Sequence, residues 1–233
     1  MIDPERFLTD TWPAAATERL GPFTLRDGAG GGKRTEAATC NGVPDDATLD
    51  EAEAALTARQ RPLLFRLRSD ETAFDEMLAA RGYARIDPTL WLSRPLTEAP
   101  SPPPVTGFAI WPPLQVQREI WDEGDVPETR RAVMARVAVP KVSVLGRASD
   151  KPAGTLFVAV SGRTAVVHAL HVRPECRRQS MARHLMAHAE RWAMRRGARE
   201  IGLFVTEANA PARALYGTLG FEGGPCYHYR IRD

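Results

Sequence analysis

Between Pro174 and Phe221 the chain leaves itself little conformational choice. Glu200 to Thr206 is continuously apolar at its centre, Ile201-Gly202-Leu203-Phe204-Val205. Such a run reads as a strand buried on both faces, which needs packed layers above and below it. Pro174 to Arg196, just before it, reads as a helix with Met181, Leu185, Ala189 and Trp192 on one stripe. Gly197 closes that helix. Just after the strand, Ala210 to Leu219 reads as a second helix, opened by Asn209 and Pro211 and stopped by Gly220. Helix, strand and helix in this order predict an α/β fold. They also set an arginine-rich helix start next to a buried strand, and backbone N–H groups at a helix start form an anion site.

The rest of the second half fits the same class. Glu119 to Val139 reads as two short helices around Gly124 and Pro127, and Val142 to Gly146 as a strand. Gly154 to Val160 and Ala165 to Val172 read as strands joined by the turn Ser161-Gly162-Arg163-Thr164. Tyr227 to Arg232 alternates and reads as a last strand. Ala99-Pro100-Ser101-Pro102-Pro103-Pro104 is a linker, because consecutive prolines extend the chain and remove donors. It divides the chain into residues 1–98 and 105–233, with 99–104 between them.

Residues 23–94 give a weaker version of the same order. Phe23 to Arg26 and Arg34 to Thr39 flank a glycine-rich turn, Gly28 to Gly32, read as a hairpin connection. Leu49 to Arg59 is a helix, Pro62 to Arg68 a strand, Thr72 to Ala80 a helix and Leu90 to Arg94 a strand. Setting Gly82-Tyr83 on Gly220-Phe221 gives an offset of 138, and Phe65, Leu67 and Met77 then fall on Leu203, Val205 and Leu215. This predicts an internal repeat. The polar positions do not carry over: Leu78 falls on Tyr216 and Glu71 on Asn209. Pro44 and Pro174 differ by 130, so the first half lacks about 8 residues where the second carries its arginine turn.

Composition narrows the function. No apolar run approaches the ~18 residues that span a bilayer. The start, Met1-Ile2-Asp3-Pro4-Glu5-Arg6, does not look like a secretory leader. Cys40, Cys176 and Cys226 are odd in number and widely spaced, which suits a reduced, cytoplasmic setting. Residues 1–104 hold 12 Lys and Arg against 17 Asp and Glu, whereas 105–233 hold 19 against 12. A basic second half could attract nucleic acid or the phosphates of a cofactor. The arginines are scattered without interleaved aromatics, which disfavours nucleic acid.

Residues 105–233 resemble the GCN5-related N-acetyltransferase (GNAT) family. The phosphate-loop pattern appears as Arg177-x-x-Ser180-x-Ala182. The second signature is complete at Asn209, Ala212, Leu215, Tyr216, Leu219, Gly220 and Phe221. The resemblance implies the family's mixed sheet flanked by helices, here as two tandem halves with the second catalytic. It implies acetyl-CoA as acyl donor, an amine-bearing small molecule or peptide as acceptor, direct attack of the amine, and no metal. It leaves room for a homodimer. Arg177, Arg178, Gln179, Ser180, Met181, Ala182 and Arg183 would form the phosphate turn, backbone groups near Leu170 and Val172 would meet the pantetheine arm, and Asn209 would hydrogen-bond the coenzyme. Tyr216 would act as general acid toward the leaving thiolate. Ser180 stands where the family has glycine, and its Cβ takes room from the phosphate, so a weaker but surviving affinity is expected.

His168 and His171 are the candidate bases, and simple alternation puts them on opposite faces of their strand. Glu207 is a further candidate. Cys176 has no neighbouring base to make it a nucleophile. His184 and His188 share a helix face but lack a third ligand. Two rival readings remain, a non-catalytic acyl-CoA-binding regulatory module and a nucleic-acid binder. The acceptor, the acyl length and the oligomeric state are not legible.

Overall fold

A computed structural model describes residues 4–232; Met1, Ile2, Asp3 and Asp233 lie outside it, and with them the start of the N-terminal segment read above. The first half runs α1 (Pro4–Thr11), β1 (Ala16–Leu20), β2 (Phe23–Asp27), α2 (Lys33–Glu36), β3 (Thr39–Cys40), α3 (Asp46–Ala58), β4 (Leu63–Arg68), α4 (Thr72–Ala80) and β5 (Ala84–Pro95). The second runs β6 (Gly107–Ile110), α5 (Gln115–Glu123), α6 (Glu128–Arg136), β7 (Lys141–Ala148), β8 (Lys151–Ser161), β9 (Thr164–Val172), α7 (Met181–Arg195), β10 (Glu200–Thr206), α8 (Ala210–Thr218) and β11 (Glu222–Arg232).

Eight strands form one mixed sheet in the order β4-β11-β5-β10-β9-β8-β7-β6, and β1-β2-β3 form a small sheet beside it. β9 and β10 run parallel, with α7 as the crossover that a parallel pair requires. The two halves exchange their last strands: β11 lies between β4 and β5, and β5 lies between β11 and β10. The exchange is symmetric. Leu203 stands opposite Leu92, and Phe65 opposite Arg230. The 138-residue offset interchanges these two pairs. It also maps the β5–β11 seam onto itself, since Glu222 faces Ser93 and Ala84 faces Ile231. α4 and α8 obey the same offset. The repeat read in the sequence is therefore the register of the sheet.

Polar contacts reinforce the seam. The Asp75 carboxylate on α4 accepts from Arg230 Nε at 2.7 Å and Nη2 at 2.9 Å, and meets His228 Nε2 at 2.5 Å, both on β11. Arg230 and His228 hold that carboxyl down at about 2 against the cost of burial.

α7 covers one face of the sheet, where Leu185, Met186 and Ala189 pack on Leu156, Val158 and Ile201. The opposite face holds Trp12, Trp121, Phe157, Val166 and Phe204. A separate core in the first half collects Phe23, Leu49, Phe65, Phe74 and Tyr83.

Several elements depart from the sequence reading. α7 starts at Met181 rather than Pro174, since Pro174–Cys176 is a 3-10 turn and Arg178 and Ser180 take φ of 62° and 61°. An α-helix cannot contain such residues. Gly28 to Gly32 leads into α2 instead of bridging two strands, and the hairpin joins β1 to β2. The glycines serve packing: a Cβ on Gly31 would lie 2.6 Å from Val133 Cγ2, and one on Gly30 would lie 3.1 Å from Thr129 Cγ2, so α6 rests on this turn. β5 and β11 begin earlier than read, at Ala84 and Glu222, because they pair with each other, which local alternation does not reveal.

Candidate active site

The site starts where two parallel strands part. β10 pairs with β9 only from Glu200–Thr164 to Leu203–Val167. Beyond that point each strand stays with its outer neighbour. β10 follows β5 to the Thr206–Thr89 pair, and β9 follows β8 to the Val172–Gly154 pair. The cause is a bulge in β9. Phe157 faces His168, whereas Thr155, two residues earlier, faces His171, and Ala169 has φ of 50°. One extra residue bends the strand away from β10. The indole of buried Trp121 on α5 donates to the Ala169 carbonyl at 2.8 Å and fixes the bulge. A cleft of about 790 Å³ fills the opening. Residues 167–172 form one wall and 203–206 the other, with the start of α7 and the inner side of α8 closing the ends.

The bulge corrects one expectation. Thr155 and Phe157 share a face of β8, so their partners His171 and His168 share a face of β9. The inserted residue reverses the simple alternation, and both histidines lie on the side of α1 and α5.

The start of α7 offers donors. Its first helical hydrogen bond runs from His184 N–H to the Ser180 carbonyl at 3.0 Å, which leaves the N–H groups of Met181, Ala182 and Arg183 without helical acceptors. Among the described residues no side chain caps this end. Arg177, Arg178 and Arg183 line the cleft beside it, and Arg177 Nε is tied to the Val172 carbonyl at 3.1 Å. Gln179 does not line the cleft; its amide turns back to the Glu175 carbonyl at 2.9 Å. Leu170, Val172, Ser180, Met181, Ala182 and Asn209 all line it. Asn209 caps α8, accepting from Ala212 N–H at 3.1 Å.

Tyr216 is 8% exposed, packs on Phe221 and lines the cleft. Its hydroxyl has no hydrogen-bond partner among the described residues. Burial pushes its pKa up to about 12, against a smaller opposing effect from Arg34. The phenol therefore keeps its proton at neutral pH.

His168 is buried and stacks on Trp12. Its protonation can be worked out from its neighbours. Thr11 Oγ1 donates to the Phe7 carbonyl at 2.6 Å and lies 2.9 Å from His168 Nε2. A hydroxyl has one proton, so Nε2 must carry the hydrogen in that contact. Nδ1 then holds a lone pair, and it is buried without a partner. Burial and the Arg34 cation hold this imidazole well below its usual range. His171 is also depressed, by burial and by Arg177. It lies against Gly124, where a Cβ would come within 2.4 Å of its Nδ1.

The first half supplies residues that the sequence reading missed. Trp12 stacks on His168, and Arg34 reaches into the cleft to donate from Nη2 to the Phe204 carbonyl at 3.2 Å, beyond the last β9–β10 pair. Arg130 on α6 joins it. No local signal marks Arg34, which meets its partner 170 positions away. The remaining candidates lie elsewhere or have other partners. Glu207 is exposed outside the cleft, with its N–H on the Pro88 carbonyl. His188 Nε2 meets Thr106 Oγ1 at 3.1 Å. Cys176 is a half-buried lining residue.

Known proteins have similar sequences and folds. Residues 107–221 match the acetyltransferase (GNAT) family model. The chain is 24% identical over 245 residues to the uncharacterized N-acetyltransferase YobR of Bacillus subtilis (strain 168), covering 98% of this chain and 97% of the relative. A GCN5-related N-acetyltransferase from Kribbella flavida has a similar fold, with a TM-score of 0.70 at 20% identity over 94% of this chain and 90% of that one. A tandem GNAT protein from the clavulanic acid biosynthesis pathway gives a TM-score of 0.63 at 16% identity, over 90% and 77%. Residues 107–221 of this chain are an acetyltransferase (GNAT) family domain, and the protein is an acyltransferase.

Proposed function

We propose that the cleft between β9 and β10 binds acetyl-CoA and that the enzyme passes its acetyl group to a primary amine by direct attack. In this reading the chain divides at residues 99–104. The second half carries the chemistry, and the first shapes the acceptor side. The observation that carries the proposal is the convergence of three unmatched groups on one opening. These are the free N–H groups at the start of α7, the unpaired backbone edge of residues 168–172, and the unpartnered hydroxyl of Tyr216.

Each group has a task. The N–H groups and Arg177, Arg178 and Arg183 hold a pyrophosphate. The edge of β9 hydrogen-bonds an extended amide chain as it would a peptide strand. The thioester supplies an activated acetyl group. The amine nitrogen forms a bond to the acetyl carbon as the carbon–sulfur bond breaks, and Tyr216 gives its proton to the departing sulfur. The amine's own proton leaves toward water or His168. His168 Nδ1 has the free lone pair to accept a hydrogen bond there, but its depressed basicity suits positioning better than storing a proton. His171 can serve water in the same way from the same face of β9. Three free cysteines remain compatible with a reducing cytoplasm.

A thiol-release assay with acetyl-CoA across a diverse amine library tests this reading, paired with calorimetry of CoA. Saturable thiol release that depends on one class of amine is the expected result. CoA binding with no release from any amine would instead leave an acyl-CoA-binding module.

A further inference from the structure

Behind the bulge a second pocket of about 310 Å³ adjoins the cleft, sharing Arg34, Arg130, His168, Ala169 and Thr206 with it. Both halves build it. Trp12, Lys33 and Arg34 come from the first, whereas Arg130, Tyr227 and Tyr229 come from the second. His168 lies where the two spaces meet, so a molecule in this pocket has one end beside the reacting thioester and the other against the far wall.

That wall carries uncompensated positive charge. Lys33 is paired with Asp87 at 2.6 Å. Arg34 donates to the Tyr227 hydroxyl and the Phe204 carbonyl, and Arg130 to the Asp125 carbonyl. Neither arginine has a carboxylate partner among the described residues. Among the more enclosed arginines, Arg26 and Arg66 share Glu5, Arg94 pairs with Glu190, and Arg230 with Asp75, whereas Arg136 donates to the Pro13 and Gly28 carbonyls. The glycine turn contributes directly. A Cβ on Gly32 would lie 3.4 Å from Arg130 Nε, an ordinary contact distance, so that guanidinium runs alongside the turn that leads into Arg34. Both guanidiniums line this one pocket, so an anion in it would take charge-assisted N–H bonds.

We infer that this pocket selects acceptors that carry a carboxylate or phosphate as well as the amine, with Arg34 and Arg130 holding the acid. The amine part of this statement rests on the acetyl-transfer reading above; the acid part does not. A volume near the lower end for small-molecule pockets restricts the acceptor to a compact metabolite-sized acid.

The test titrates the CoA-saturated protein, by calorimetry, with α- and ω-amino acids and aminoalkyl phosphates. Each is matched to its amide or alcohol. The expected result is at least one charged compound that binds about tenfold or more above its neutral match, as charge-assisted hydrogen bonds provide. Arg130 is exposed on α6, so Arg130→Gln spares the fold. It should remove most of that preference while changing the neutral match little. If no charged compound binds, if charged and neutral matches bind alike, or if Arg130→Gln weakens both equally, the inference is overturned. Thiol release on the same panel separates the two readings. Charged compounds that bind without release would sink acetyl transfer and leave the acid site standing. Release from neutral amines with no preference for acids would do the reverse.

Discussion

α3 and α7 follow equivalent strands and begin in opposite ways. α3 is capped by Asp45, whose carboxylate accepts from Thr48 N–H at 2.8 Å, with Asp46 next in line. α7 has no side-chain cap, free N–H groups and arginines around them. An acidic cap satisfies its helix and repels phosphate, whereas a bare basic start needs an anion. The strands differ in the same sense. In the first half Ala38 bridges Phe65 as Val167 bridges Leu203 in the second, but from bridge to bridge the first half is nine residues shorter. Phe74 then falls on Ala212 and Leu78 on Tyr216. Phe74 is 1% exposed and plugs its half against Phe23 and Phe65, whereas Ala212 lines the open cleft. In the proposed reading, one frame thus becomes a support or an active site through a short turn and two side chains.

The largest expected break in this comparison is Phe74→Ala. Emptying a packed aromatic site should cost about 3–5 kcal/mol of stability, read by urea unfolding. It should create no second coenzyme site, because the first half has no turn to hold phosphate. Two bound CoA molecules per chain in calorimetry would show that the plug alone separates the halves.

Tyrosines sharpen the contrast next. Tyr216→Phe should lower kcat by about 10²–10⁴ with CoA affinity retained, the range for losing a general acid. Tyr83 in the first half donates to Glu53 at 2.8 Å, and Tyr83→Phe should cost only about 1 kcal/mol of stability with kcat unchanged. The pH profile of the wild type follows from the same environments. Tyr216 keeps its proton to about 12, so no alkaline loss from it is expected across a normal assay range. His168 and His171 are held below the ordinary imidazole value, so both are already neutral at pH 7. Any loss through them should come only as pH falls below about 6.5.

How far the sequence carried depends on the range of the interaction concerned. β10 and α8 are specified by local pattern, and their bounds were readable. The 138-residue offset was readable because both halves keep the same strand–helix–glycine ending, and it reappears in the pairing. The bulge at Ala169 was not readable: no glycine or proline marks it, and it is held by the indole of Trp121, 48 positions away. The faces of His168 and His171 depended on it. Arg34 and Trp12 reach the site through the exchanged strands and the packing of α1, which no local pattern encodes.

A smaller effect is expected from turning the second half into the first. Ala212→Phe places the plug of Phe74 on a half-exposed position of α8, so the fold should tolerate it. The ring would occupy the cleft and weaken CoA by roughly one to two orders of magnitude, about the 1–3 kcal/mol that overpacking costs. Unchanged CoA affinity in calorimetry would place the coenzyme away from α8.

The finest difference between the halves is the strain that the second keeps in its turn. Ser180 and Arg178 both hold left-handed backbone, which disfavours a residue with a Cβ by about 1 kcal/mol or more. Glycine at 180 would remove that strain, but it would also gain entropy in the unfolded chain, so the two effects on stability should largely cancel. What affects affinity in the proposed reading is the Cβ itself, which lies at the exposed mouth where phosphate would meet the free N–H groups. Ser180→Gly should then tighten CoA binding about threefold through closer backbone approach, with little change in melting temperature. Ser180→Ala keeps the Cβ and removes the hydroxyl, so it should leave affinity near that of the wild type. If Ser180→Gly and Ser180→Ala both weaken CoA instead, the serine hydroxyl is itself a phosphate donor. The departure from glycine would then be an added contact, and the second half would differ from the first by one binding group more than the backbone alone provides.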